Sequence, residues 1–165
     1  MKKNFSVLWL LWILVLSGCG WSMNVVEYND NFVSIVKECT DANQTLFENF
    51  QSSEATTDSR IASLQENITI CENAKEKAVK LWDYDKDSSL KDAVVNLLSM
   101  EVDYLEKFWS TSRYRDIHDI TDEDEAAYEW LANDLHEAEE SLNTKFTALQ
   151  ETQEAFAARH RLKLE

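Results

Sequence analysis

The chain has no proline, and its two glycines, Gly18 and Gly20, lie close together near the N-terminus. β-Hairpins and Greek-key connections depend on glycine and proline at their turns. Residues 21–165 offer neither, which excludes a β-rich body and predicts helices joined by short polar connections. Positive charge is also scarce. Sixteen lysines and arginines face 31 aspartates and glutamates, for a net charge of -15. Nucleic-acid binding needs basic patches to meet phosphates, so that class is excluded. No Gly-x-Ser-x-Gly elbow, phosphate-cradling glycine loop or Cys-x-x-Cys-His string occurs. No acid/base or nucleophile set is recognisable either. The expectation is a protein that is not an enzyme and carries no cofactor.

The N-terminus is better defined. Lys2 and Lys3 precede an apolar stretch at 5–16 broken only by Ser6. Twelve helical residues span about 18 Å, short of a bilayer core of about 30 Å. A signal peptide is therefore expected rather than a membrane anchor. Leu16, Ser17, Gly18 and Cys19 follow at once. They resemble the lipobox of bacterial lipoprotein precursors: an aliphatic residue, two small residues and a cysteine. The resemblance implies cleavage before Cys19, diacylglycerol on its thiol and a further acyl chain, such as palmitate, on its amine. Several chains make such an anchor stable. An ordinary signal peptide with a chance cysteine is the alternative. Gly20 stands where an aspartate would resemble an inner-membrane retention signal, so the outer membrane is expected in a Gram-negative host. The body would then face the periplasm or the cell surface.

The expected organisation is a signal peptide at 1–18, a lipidated cysteine and tether at 19–23, and a helical body at 24–165. The body is large enough for its own core. Four apolar stripes at helical spacing define it. The first follows Asn24, an N-cap with Glu27 three residues on, and runs Phe32, Ile35/Val36, Cys39, Ala42, Leu46, Phe50. After a polar turn at 51–59, the second runs Ile61, Leu64, Ile68, Cys71, Ala74, Ala78, Leu81. A loop at 83–89 leads to Leu90, Val94, Leu97/Leu98, Glu101, Leu105 and Phe108. A connection at 114–120 leads to a capping box at Thr121 and Asp124. The last stripe runs Leu131, Leu135, Ala138, Leu142, Phe146, Leu149, Gln153, Phe156, in a helix that could reach Leu162. Short connections between amphipathic helices predict an all-α, antiparallel up-down-up-down four-helix bundle. A long coiled-coil dimer is the alternative.

Three stretches carry a broader resemblance. They are Tyr28, Asn29, Asp30 with Val33; Leu90, Lys91, Asp92, Ala93, Val94 leading to Tyr104, Leu105, Glu106; and Phe146 with Gln153, Glu154, Ala155, Phe156, Ala157 before a basic tail. Together they resemble a family of small surface lipoproteins from spirochaetes and Bacteroidetes. The resemblance spans about 26–163 and does not include Cys39 and Cys71. It implies a lipid-anchored surface or periplasmic lipoprotein with a helical bundle, and it implies no activity. The expected role is binding or envelope structure. A bundle that holds a metal ion or haem is the alternative.

Other candidate residues follow from position. Cys39 and Cys71 are the cysteines left after acylation of Cys19, and export admits disulfides. Both sit on apolar stripes, each sixteen residues from the midpoint, residue 55, within the polar turn. Equal height in an antiparallel hairpin predicts a bridge, with two packed thiols as the alternative. Asp83, Asp85 and Asp87 alternate as in a calcium loop, but Ser88 and Val94 stand where glycine and glutamate belong. A solvated loop capping the third helix is the competing reading. His118, His136 and His160 lack a glutamate three residues before them, unlike di-metal bundles. Residues 116–140 hold eleven acidic residues and no lysine or arginine, with Trp109 and Trp130 nearby. That is either a solvated face or a docking face for a basic protein partner. Arg159, His160, Arg161 and Lys163 form a basic tail, expected either to rest on anionic headgroups or to complement the helix end.

Overall fold

The computed structural model describes residues 24–117 and 122–162. The expected signal peptide at 1–18, the tether at 19–23 with Cys19, and also His118, Thr121 and Lys163, lie outside the described residues. Among the described residues four helices make an all-α bundle: α1 Val25–Gln51, α2 Thr57–Lys80, α3 Ser89–Ile117 and α4 Asp122–His160. None of the described helices is long and apolar enough to cross a membrane.

Side-chain chemistry sets most of the boundaries. The Asn24 carboxamide oxygen accepts from the Glu27 amide at 2.9 Å and starts α1. Thr56 does the same for α2, its hydroxyl accepting from the Ser59 amide at 3.1 Å. That cap shrinks the expected 51–59 turn to 52–56, because 57–59 already belong to the helix. At the other end of α2, Leu81 is the C-cap. The third connection was expected at 114–120, but α3 continues through Ile117. With no glycine or proline there, polar composition alone does not stop a helix.

The core fills from one stripe per helix. Phe32, Ile35, Cys39 and Leu46 of α1 are buried, as are Leu64, Cys71, Ala74 and Ala78 of α2. Leu90, Val94, Leu97, Leu98 and Leu105 of α3 join them, with Ala138, Leu142 and Phe156 of α4. Tyr28 is fully buried as well, one turn before the expected start of the first stripe. Its ring meets Phe32 edge-on at 4.9 Å, Tyr84 at 5.3 Å and Phe156 at 5.6 Å. This aromatic cluster closes the near end of the bundle, where α1 begins and α4 finishes.

A body without glycine must still turn. Among the described residues three take positive φ, Asp85 at 48°, Lys86 at 67° and Arg161 at 59°. Asp85 and Lys86 are the central pair of a tight turn in which the Asp87 amide donates to the Tyr84 carbonyl at 2.7 Å. Two successive positive φ values are the pattern of a type I′ turn, which favours Asn-Gly or Asp-Gly. Arg161 ends α4 in a Schellman motif. The Leu162 amide donates to the Ala157 carbonyl at 2.8 Å, and the Arg161 amide to the Ala158 carbonyl at 3.3 Å. Leu162 then packs against the core.

A left-handed conformation costs a residue with a Cβ about 1–2 kcal/mol. Glycine at Lys86 removes that cost and adds some unfolded-state entropy. Lys86→Gly should therefore stabilise the fold by about 0.5–1 kcal/mol, seen as a higher urea midpoint with an unchanged slope.

Candidate functional site

Cys39 and Cys71 form a disulfide between α1 and α2, with Cα atoms 4.7 Å apart. One neighbouring pair, Asn43 and Asn67, has the same midpoint, and the other contacts keep the same order. Asn67 donates to the Asn43 carboxamide oxygen at 2.9 Å, and Lys77 reaches Glu38 at 2.5 Å. Near the connection, Arg60 donates to the Ser52 carbonyl at 3.1 Å. Partners thus run in opposite order along the two helices, outward from the 52–56 connection.

One turn from the disulfide, a polar ladder crosses the core. Asn67 of α2 donates to Asn43 of α1, and Asn43 donates in turn to the Glu101 carboxylate of α3 at 2.9 Å. Glu101 keeps only 2% of its surface exposed. Burial pushes its carboxyl above the ordinary range, and the Asn43 hydrogen bond only partly offsets this. Its place on the α3 stripe was visible in the sequence. Its partners were not, because asparagines 58 and 34 residues away carry no spacing signal.

A second cluster sits at the near end. Arg159 pairs with the Asp87 carboxylate. His160 lies 3.7 Å from the same carboxylate, and its ring packs at 4.5 Å on Phe156 and 5.1 Å on Tyr84. Burial would raise the Asp87 pKa, but contacts with Ser89 and the Arg159 guanidinium hold it below the usual carboxylate range. Burial likewise pushes the Tyr28 hydroxyl up to about 12, with the Tyr84 backbone opposing and Asp83, Asp87 and Asp92 adding to the shift. The first half of the basic tail therefore turns onto the protein. Arg159 and His160 both face Asp87, and Arg161, which follows them, is exposed.

The three alternating aspartates have separate occupations. Asp83 pairs with Lys91, Asp85 occupies the tight turn, and Asp87 serves Arg159 and the Ser89 amide, 3.0 Å away. Among the described residues, no group of three His, Cys, Asp or Glu side chains is placed to hold a metal ion. His136 lies exposed on α4, 3.7 Å from Glu140.

The two tryptophans part company. Trp109 packs against the core, whereas Trp130 is 66% exposed. Glu125, Glu129, Glu137, Glu139 and Glu140 on the same helix are exposed too. Lys107 reaches across from α3 to Asp134 at 3.1 Å, a bond that raises its pKa, and it also faces Asp103.

Phe146 departs from expectation. It belongs to the α4 stripe, yet 37% of it is exposed. The reason is the seam between α1 and α4. The helices meet at the near end, where Gln153 donates to Asn29 at 3.0 Å. Further along lies an apolar groove of about 370 Å³, with Phe146 on its wall.

No protein-family model matches the chain, and no curated protein or solved structure is similar to it.

Two stability predictions follow from the cross-links. The bridge closes a loop with a sequence separation of 32. A Cys39→Ala/Cys71→Ala variant should lose roughly 2–4 kcal/mol against chemical denaturant. Glu101 gives a pH signature. Below its ordinary pKa of 4.5 the group is neutral in both folded and unfolded chains. As pH rises, the unfolded chain ionises first, so this group's effect is a loss of stability that ends once the folded carboxyl has ionised too. Glu101→Gln keeps an acceptor for Asn43 and should flatten that part of the stability-pH curve, with a gain at pH 7. Glu101→Ala should instead cost about 1–3 kcal/mol by leaving the Asn43 amide nitrogen without its acceptor beside a cavity.

Proposed function

We propose that the chain is a lipid-anchored envelope lipoprotein whose body is an up-down-up-down bundle that docks a basic protein partner on α4. The anchor rests on one observation, the Leu16, Ser17, Gly18, Cys19 string directly behind a charged and then apolar leader. The resemblance to surface lipoproteins points the same way, as does a disulfide suited to an oxidising compartment. The opposed order of the cross-helix pairs supports the up-down-up-down path. In that path five residues separate Cys19 from α1, so the near end faces the membrane and α4 runs back toward it, with Trp130 in the half farther from it. An outer-membrane address fits Gly20 after the cysteine.

Trp130 supports the docking role. An aromatic ring this size gains from burial only if something covers it. Glu137 shares its side of α4, Glu129 and Glu140 flank it, all three are exposed, and 116–140 holds no lysine or arginine. Arginine or lysine on a partner would satisfy both, the charge against the carboxylates and the cation over the indole.

Cys19→Ser should leave unacylated precursor that no longer partitions into detergent. An acylated mature mass in that variant would overturn the anchor. Trp130→Ala should weaken a partner crosslinked in the native envelope by about 2 kcal/mol, roughly thirtyfold. It should leave membrane attachment unchanged. Undiminished capture would remove α4 as the docking face.

A further inference from the structure

We infer that the groove between α1 and α4 is a binding site for a single unbranched acyl chain with an anionic head. This goes beyond the anchor and the partner face, since neither uses the groove.

The lining is apolar from three helices. Val33 and Val36 of α1 form one wall, Phe146 and Leu149 of α4 the other, and Leu90 and Val94 of α3 the floor. Val33 is 48% exposed and Phe146 37% exposed, so two large side chains on facing walls stand open to solvent. Along α1 the lining runs from Asn29 to Thr40, a length of about 16 Å. The near end is closed by the Asn29–Gln153 hydrogen bond and the aromatic cluster behind it.

Size selects the occupant. A helix with its side chains is about 10 Å across. The groove holds about 370 Å³. A partner's helix, or one from a second copy, is too wide to lie between the walls and would rest across the rim, above the floor of Leu90 and Val94. A polymethylene chain is only about one carbon-carbon contact distance, about 4 Å, across. It can lie along the groove and cover Val33 and Phe146 together.

Charge selects the head. The lining contains one ionised residue, Lys37, and no carboxylate. That is the reverse of a chain whose net charge is -15. Lys37 pairs with Asp41 at 2.6 Å, but both side chains are largely exposed. Such a pair is weak and can be exchanged for a carboxylate head. Lys37 and Thr40 lie toward the open end of the groove, so the tail points to Asn29.

The test uses the full chain held in amphipol, free of detergent, and a diazirine-bearing myristic acid as probe. Photolysis should attach the probe to groove residues such as Val36, Leu90 or Phe146, as mapped by peptide mass spectrometry. Excess myristic acid should compete. Val36→Trp fills the groove and should abolish this labelling. Leu149→Trp does so from the opposite wall, and either variant counts when its melting temperature matches the parent's. Lys37→Glu should weaken the acid probe about fivefold while leaving a tetradecanol probe unchanged. Labelling confined to other surfaces overturns the site, as does labelling that survives both tryptophans. Equal loss of acid and alcohol probes in Lys37→Glu overturns the role given to the lysine. A crosslinked protein helix in the groove overturns the acyl chain as its occupant.

Discussion

The Cys39–Cys71 bridge fixes the height of α2 against α1, and the rest of the bundle is registered from it. One turn away, Asn43 and Asn67 meet, and Asn43 carries the register on to Glu101 of α3. Three helices are thus tied at one level. Slipping any of them by a turn would break hydrogen bonds of the buried Glu101 carboxyl, the buried Asn67 amide or the half-buried Asn43 amide. Each such group costs about 1–3 kcal/mol when orphaned. Apolar stripes alone would not discriminate so sharply, because leucines one turn apart are nearly interchangeable.

The fourth helix is held differently. It follows α3 closely, through Lys107 with Asp134 and Thr111 with the Leu131 carbonyl. At the near end, Asp87 gathers Arg159 and His160, and Gln153 joins Asn29. α4 is therefore pinned to α3 along its length and to α1 at one end. α1, for its part, is committed to α2 by the disulfide. With both helices held by other neighbours, the seam between them opens, and the groove is the result. It is a consequence of where the specific contacts lie rather than a failure of hydrophobic patterning.

That division also explains what was legible in the sequence. The helix count, the Asn24 cap and most core positions follow from 3.6-residue periodicity and capping chemistry, which are local. The disulfide was legible too, because a hairpin makes height a function of distance from its turn. Phe146 was misassigned to the core, since its periodicity says only that it faces inward on α4, and the position of α1 is a tertiary matter. The clasp at Asp87 was missed for the same reason. Asp83, Asp85 and Asp87 looked like a set by their alternation. In the fold their side chains are drawn to Lys91, to a tight turn and to Arg159, and alternation carries no information about those distant cations.

The scarcity of glycine and the buried glutamate point to one trade. The turn at Asp85 and Lys86 and the end at Arg161 each hold a Cβ-bearing residue in a left-handed conformation. Each costs stability that glycine would restore. Yet Asp87, directly after that turn, is the anchor for Arg159, and Arg161 follows the same contact at the end of α4. The strained positions therefore flank the clasp that docks α4. Glu101 is similar, a charged group kept where an apolar residue would bind the core more tightly. In both places uniqueness of arrangement is retained at a cost in stability, and the loop-closing disulfide offsets that cost. A bundle fixed by cross-links and polar registers can leave one seam unfilled and still keep a single structure, which is the condition for having a groove at all.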